Sequence, residues 1–217
     1  GLSSNDALQK CKWLLRAEKA GHTGTLDPLA TGVLPLCFGA ATKFSQLQLD
    51  ADKTYEAIAQ LGVRTSTGDA EGEVLARQHV SMPTNADLAA VAARLSGPQQ
   101  QVPPMHSALK KDGRPLYEFA RQGIEVERTP RDIVVHRLQL APADEPWPQP
   151  SVHLFARVSK GTYIRTLGES VGDALGCGAH LRMLRRVGTG GFDIARCVTL
   201  DDFSAMDETR RLRQLQP

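Results

Sequence analysis

The run Gly21–Gly39, GHTGTLDPLATGVLPLCFG, constrains this chain more than any other segment. Four glycines and two prolines interrupt it, too many for a single helix or strand. Within it, Leu-Asp-Pro presents one carboxylate with little freedom. Pro28 fixes its own φ and drives Asp27 towards extended geometry. The glycines permit close approach by another backbone or a ligand. An Asp before Pro is also a frequent turn opener. Local sequence therefore leaves Asp27 open between a catalytic carboxylate and a turn residue. No Gly-Lys-Ser/Thr follows, so the run is not a P-loop.

Residues 3–19 read as a helix, capped by Ser3, Ser4 or Asn5, with Leu8, Cys11 and Leu14 or Leu15 at helical spacing. A short helix is expected over 40–49. The alternation in 53–62 predicts a strand with Tyr55, Ala57, Ala59 and Leu61 on one face. Residues 65–72 form a polar loop. Thr84 or Asn85 caps a helix carrying Leu88, Val91, Ala92 and Leu95. Residues 97–131 contain Pro98, Pro103, Pro104, Pro115 and Pro130 and read as irregular around a short helical piece near 116–121. Strands are expected near 132–140 and 151–158. SKGTYIRTL is expected to enter as a strand and pass into a helix reaching about Leu175. LRMLRR is helical by composition, and one final helix begins at Leu200. Strands and helices alternate without a regular βαβ rhythm, which predicts an α+β fold with a mixed, largely antiparallel sheet.

The 217 residues, 41% hydrophobic and 23% charged, suit a globular chain with one large core or a core with a small appendage. No stretch of 18 apolar residues occurs, so no membrane span is expected. The start, GLSSNDALQK, has neither an initiator Met nor a signal-peptide pattern and reads as beginning inside a domain. Cys11, Cys37, Cys177 and Cys197 show no CxxC spacing and no accompanying His cluster. That argues against a disulfide framework or zinc site and favours buried free thiols in a reducing cytoplasm.

The net charge of +2 does not announce a nucleic-acid binder, but its distribution is uneven. Arg157, Lys160, Arg165, Arg182, Arg185, Arg186 and Arg196 face only Glu169, Asp173 and Asp193 in the same stretch. A locally basic surface of this kind suits phosphates. On a strand, Tyr163 and Arg165 would share a face. A ring beside a guanidinium suits stacking on a base and pairing with a carboxylate or phosphate. The commoner outcome for such a pair is a packed edge Tyr and a solvent-facing Arg.

Together with KTYEAIAQLG, SALKKDGRPLYEFARQGIEV and SKGTYIRTLGESVGDALGCGAHLRMLRR, the glycine-rich run resembles the TruB family of tRNA pseudouridine-55 synthases. The motifs occur in family order, from Ser3 to about Phe203. The resemblance implies the pseudouridine synthase fold, its sheet flanked by helices and loops around a central catalytic cleft. It implies that Asp27 is the catalytic carboxylate and Arg165 its salt-bridge partner. Tyr55 would stack on the target uracil, Tyr163 would lie beside the aspartate, and Leu184 would pack against the flipped base. His22 would contact substrate near the loop, Lys43 would neutralise phosphate, and Asp69 would be a structural loop carboxylate.

The implied reaction converts the uridine at position 55 of the tRNA T-loop to pseudouridine. The N1–C1′ bond breaks and C5 joins C1′. No cofactor and no metal are implied. The expected partner is the tRNA T-arm stem-loop, with no membrane and no protein partner, for a cytoplasmic monomer. Residues 1–217 would form one catalytic domain, with 97–131 an RNA-clamping insertion. There His106 stands where the family usually has Tyr. The family's first strand and a C-terminal RNA-binding domain have no counterpart in the sequence. Three other readings compete: a non-catalytic tRNA-binding or folding protein on the same scaffold, a small-molecule enzyme with a glycine-rich anion loop, and a sister synthase within a larger complex.

Overall fold

The computed structural model describes residues 2–215, apart from the side chain of Leu47, so the outermost residues of the expected 1–217 domain lie outside it. The chain forms two compact units. One takes the residues up to Lys53 and those from Arg185 onwards, and the other is Thr54–Leu184.

The first unit opens with helix α1, Ser4–Leu14. Ser3 caps it: its Oγ accepts from the Asp6 N–H at 3.1 Å, and the Asp6 carboxylate accepts from the Ser3 N–H at 3.1 Å. Such a reciprocal cap is worth about 0.5–2 kcal/mol. The helix ends at Leu14, short of residue 19, because Arg16 turns to φ +50°. Strands β1, Ala20–His22, and β3, Leu36–Phe38, pair antiparallel, with β2, Thr31–Gly32, between them in sequence. A 3-10 turn at Gly39–Phe44 and helix α2, Ser45–Leu49, complete the expected 40–49 segment.

In the second unit, strand β4, Lys53–Leu61, is followed by the small hairpin β5, Val63–Thr65, and β6, Val74–Arg77. Ala57, Ala59 and Leu61 are buried as the alternation predicts, but Ile58 and Gln60 are buried too. The far half of β4 is thus covered on both faces, as befits an inner strand. Helix α3, Asn85–Arg94, starts at the Thr84 cap and buries Leu88, Val91 and Ala92. Next come β7, Gly97–Gln101, the short pair β8, Lys110–Lys111, and β9, Arg114–Pro115, and helix α4, Leu116–Ala120. Long strands β10, Arg131–Ala143, and β11, Ser151–Val158, lead to helix α5, Ile164–Ala174, and strand β12, Ala179–Thr189.

The strand order is β12-β4-β11-β10-β7, with β10 antiparallel to both neighbours. This is the α+β class with a mixed, largely antiparallel sheet that the sequence predicts. Strand β7 was not foreseen, since Gly-Pro-Gln-Gln-Gln carries no alternation. It lies at the sheet edge, where Pro98 does not break an inner ladder. LRMLRR is a strand and not a helix. Its Leu and Arg favour helix intrinsically, but Leu181 and Leu184 are buried on a paired strand, and packing overrides propensity. SKGTYIRTL is likewise no strand: Tyr163, extended at φ −95° and ψ 113°, caps α5, and the helix begins at Ile164.

Beyond Arg185, β12 pairs antiparallel with β13, Phe192–Asp193, and parallel with β2. Two helices follow where one was expected, α6, Leu200–Ala205, and α7, Glu208–Arg213. Met206 swings to ψ 150°, and Asp207 then caps the second helix by accepting from the Arg210 N–H at 2.9 Å. Cys11 and Cys177 are buried free thiols, but Cys197 is exposed, contrary to expectation. Among the described residues, no helix is long and apolar enough to cross a membrane.

Helix α5 packs close to the start of β12. An added Cβ at Gly172 would lie 2.3 Å from the Ala179 nitrogen, which is backbone and cannot swing aside. Gly172→Ala is therefore expected to lower stability by about 1–3 kcal/mol. Urea unfolding checks this as a lower midpoint at unchanged slope.

Candidate active site

The candidate residues fall into two sets, one in each unit. In the first, Asp27 sits partly buried in the loop between β1 and β2. Its carbonyl accepts from the Ala30 N–H at 2.8 Å, closing a turn with Pro28 at the second position. Asp27 is thus a turn opener in its backbone.

The loop is held from several sides. The Leu26 N–H donates to the Ser4 hydroxyl at 2.8 Å, and that hydroxyl donates to the Leu26 carbonyl at 3.3 Å. The Thr23 N–H donates to the Pro35 carbonyl at 3.2 Å. Arg186 reaches up from β12: Nε donates to the Val33 carbonyl at 2.7 Å and Nη2 to the Gly24 carbonyl at 3.1 Å. Its own carbonyl accepts from the Val33 N–H at 2.8 Å. Gly32, at φ +102°, allows this approach, because a Cβ there would lie 2.1 Å from the Arg186 oxygen. Sequence reasoning missed Arg186. Reading LRMLRR at period 2 would have sent one of Arg185 and Arg186 inwards.

His22 ends β1, partly buried, with Nδ1 shielded from solvent and without a hydrogen-bond partner. Burial, aided by the nearby Arg186 charge, lowers the imidazole pKa, so the ring is neutral at neutral pH. Lys43 is exposed on the 3-10 turn.

In the second unit, Arg165 lies in the first turn of α5 and is only 4% exposed. Its Nη1 donates to the Thr67 carbonyl at 2.8 Å and its Nη2 to the His106 carbonyl at 2.7 Å. Nε stands 3.6 Å from the Asp69 carboxylate. Asp69 is itself buried and accepts from the Thr67 hydroxyl at 2.6 Å and the Glu71 N–H at 3.0 Å. His106 contributes its backbone carbonyl here. Its imidazole pKa is lowered by burial and then by Arg165.

Tyr163 is fixed through its backbone by Gln101, which sequence reasoning also missed. The Gln101 amide oxygen accepts from the Tyr163 N–H at 2.8 Å, and its nitrogen donates to the Tyr163 carbonyl at 3.1 Å. Tyr55 is partly buried on β4, and Leu184 is 4% exposed on β12. Among the described residues, no group of three or more His, Cys, Asp or Glu side chains could hold a metal ion.

Two family models match the chain. The TruB family pseudouridylate synthase N-terminal domain matches residues 12–164, and the tRNA pseudouridylate synthase B C-terminal domain matches residues 165–217. The chain belongs to the TruB family. It is 62% identical to the tRNA pseudouridine synthase B of Verminephrobacter eiseniae, over 100% of this chain and 66% of that protein. It is 58% identical to the namesake of Cupriavidus pinatubonensis, over 100% of this chain and 68% of the relative. The chain thus spans about two thirds of the length of these relatives.

Among solved structures, it superposes on a chain of a Cbf5–Nop10–Gar1 complex with a TM-score of 0.71 at 30% identity, covering 94% of this chain and 51% of that one. A chain of an H/ACA RNP bound to a substrate RNA containing 2′-deoxyuridine gives 0.67 at 25% identity, covering 100% and 53%. The fold of this TruB-family chain is the pseudouridine synthase fold.

One further carboxylate lies beside Arg165 in the TruB-family chain. Glu169 follows it by one helical turn and packs on Gly68, where an added Cβ would come within 3.1 Å of the carboxyl carbon. Burial first, and the charge of Asp173 second, raise the Glu169 pKa, while Arg165 opposes them. Asp173 is itself paired with Arg64. A carboxyl whose folded-state pKa is raised stabilises most when protonated and loses that contribution as pH climbs through the raised value. Glu169→Gln is therefore expected to raise the melting temperature at neutral pH. The gain should vanish below about pH 4, where glutamate is protonated in both states. Thermal unfolding at the two pH values checks it.

Proposed function

We propose that this chain is the catalytic part of an enzyme that isomerises the uridine at position 55, in the T-loop of tRNA, to pseudouridine. The observation that carries this reading is Asp27, turned and clamped in a loop of a chain that belongs to the TruB family. Its relatives are named tRNA pseudouridine synthase B.

The roles are those that the TruB resemblance implies, and they fit the residue chemistry. A uridine in a folded loop hides its reactive atoms in the stack, so the base must be extruded, at a cost of a few kcal/mol. Stacking on an aromatic ring returns about 1–3 kcal/mol per base. Tyr55 fills that role, with Leu184 as the apolar wall against the flipped uracil. Lys43 offsets phosphate charge, and His22, neutral, contacts RNA beside the loop. The tRNA arm is read by shape and by splayed bases.

Asp27 acts as nucleophile or base, and the TruB resemblance gives it Arg165 and Tyr163 as partners. The N1–C1′ bond breaks, the uracil turns, and C5 joins C1′. The proton lost from C5 is balanced by one gained at N1. Every substrate atom remains in the product and no electrons are gained or lost, so the reaction calls for no redox cofactor or nucleotide triphosphate.

Residues 97–131 serve as the RNA-clamping segment, and the bond from Arg165 to the His106 carbonyl ties that segment to the site. We take the working unit to be one catalytic domain, a cytoplasmic monomer without an obligatory protein partner.

The test is to incubate the protein with unmodified tRNA transcript and to map pseudouridine by chemical adduct and primer extension. A stop at the T-loop uridine is expected. Binding without any stop would favour the tRNA-folding reading. Asp27→Asn should abolish product while tRNA binding persists, and turnover by that variant at the parent rate would remove Asp27 from the chemistry. Arg165→Ala should lose far more in turnover than in affinity; an affinity loss alone would make Arg165 a phosphate contact.

A further inference from the structure

The geometry points to Ser4 and Arg186 as positioning residues that aim Asp27. This rests on Asp27 being the catalytic carboxylate. The segment between β1 and β3 is rich in glycine and contains only the two-residue β2. Each residue of such a segment costs about 1–2 kcal/mol to order. Catalysis is sensitive to its order, because misplacing a reacting group by about 1 Å costs about 100-fold in rate. The segment therefore needs anchors outside itself, and two side chains supply them.

Ser4 acts immediately before Asp27. One hydroxyl satisfies both polar groups of the Leu26 backbone, as acceptor from N–H and donor to the carbonyl. Ser4 is 6% exposed, so water does not compete. Helix capping does not explain the residue, because Ser3 already caps α1.

Arg186 acts from below. It is 1% exposed, and among the described residues no carboxylate pairs with it. Its charge faces the carbonyl dipoles of Gly24 and Val33, on either side of Asp27 in sequence. A buried, unpaired cation is costly, and apolar packing would fill the space more cheaply. What an apolar side chain lacks is the planar fork that bonds two carbonyls at fixed separation. The fork spans the loop and sets the distance between its two limbs. The same charge helps to keep His22 neutral. Neither Ser4 nor Arg186 is a catalytic residue in this scheme; both act through the loop.

The test compares Ser4→Ala, Ser4→Thr and Arg186→Lys in the full chain. The readouts are single-turnover rate, tRNA Kd and melting temperature, with rates taken well below each variant's unfolding. Ser4→Ala should lose about 10- to 100-fold in rate with Kd within about threefold. Ser4→Thr, which keeps the hydroxyl, should recover most of that rate. Arg186→Lys keeps the charge but loses the fork, and should fall in rate and not in affinity. The assignment fails if folded Ser4→Ala turns over at the parent rate, or if Ser4→Thr is as slow as Ser4→Ala. If Arg186→Lys does not fold, the Ser4 pair decides. Failure of the underlying reading would show separately, as turnover by Asp27→Asn.

Discussion

A charged side chain taken out of water must be repaid by close, well-directed dipoles, and the Asp27 loop is organised around one such debt. Arg186 is almost completely buried, and its hydrogen bonds run to the carbonyls of Val33 and Gly24. Gly32 exists in its conformation because the Arg186 backbone passes where a side chain would be. The short parallel pairing of β2 with β12 follows from the same closeness. Remove the guanidinium and the two limbs of the loop lose their common reference.

The second unit solves a similar problem with a second arginine. Arg165 is buried at the start of α5 and bonds to the carbonyls of Thr67 and His106, with Asp69 beside it. Asp69 accepts in turn, at Oδ1, from the Thr67 hydroxyl and the Glu71 N–H. Each arginine thus joins segments distant in sequence through backbone oxygen atoms. Buried guanidinium groups are suited to this because they offer several donors in one plane and stay charged at any working pH.

The sequence made some of this legible and hid the rest for physical reasons. Caps at Ser3 and Thr84 were readable because capping is local chemistry, settled within four residues. Strand β4 was readable from alternation, although its burial on both faces was not. Strand β12 was misread because LRMLRR favours helix in isolation, and only its pairing makes it a strand. That error also concealed Arg186, whose inward direction depends on the strand period. Tyr163 was expected on a strand and instead caps a helix, held by Gln101 from an edge strand with no sequence signature. The family motifs singled out Asp27 and Arg165, because chemistry fixes residue type. They were silent on Ser4 and Gln101, whose contribution is a bond to a distant backbone.

The bond from Arg165 to residue 106 has a consequence for how this chain tolerates change. The acceptor is a peptide oxygen, which all twenty amino acids carry. The hydrogen bond therefore does not depend on which side chain stands at 106, although the histidine ring there feels the charge of Arg165. Drift is cheap in the identity of residue 106 and expensive in its backbone path. Insertions, deletions or a proline nearby would displace the oxygen, whereas other substitutions at 106 would leave it in place.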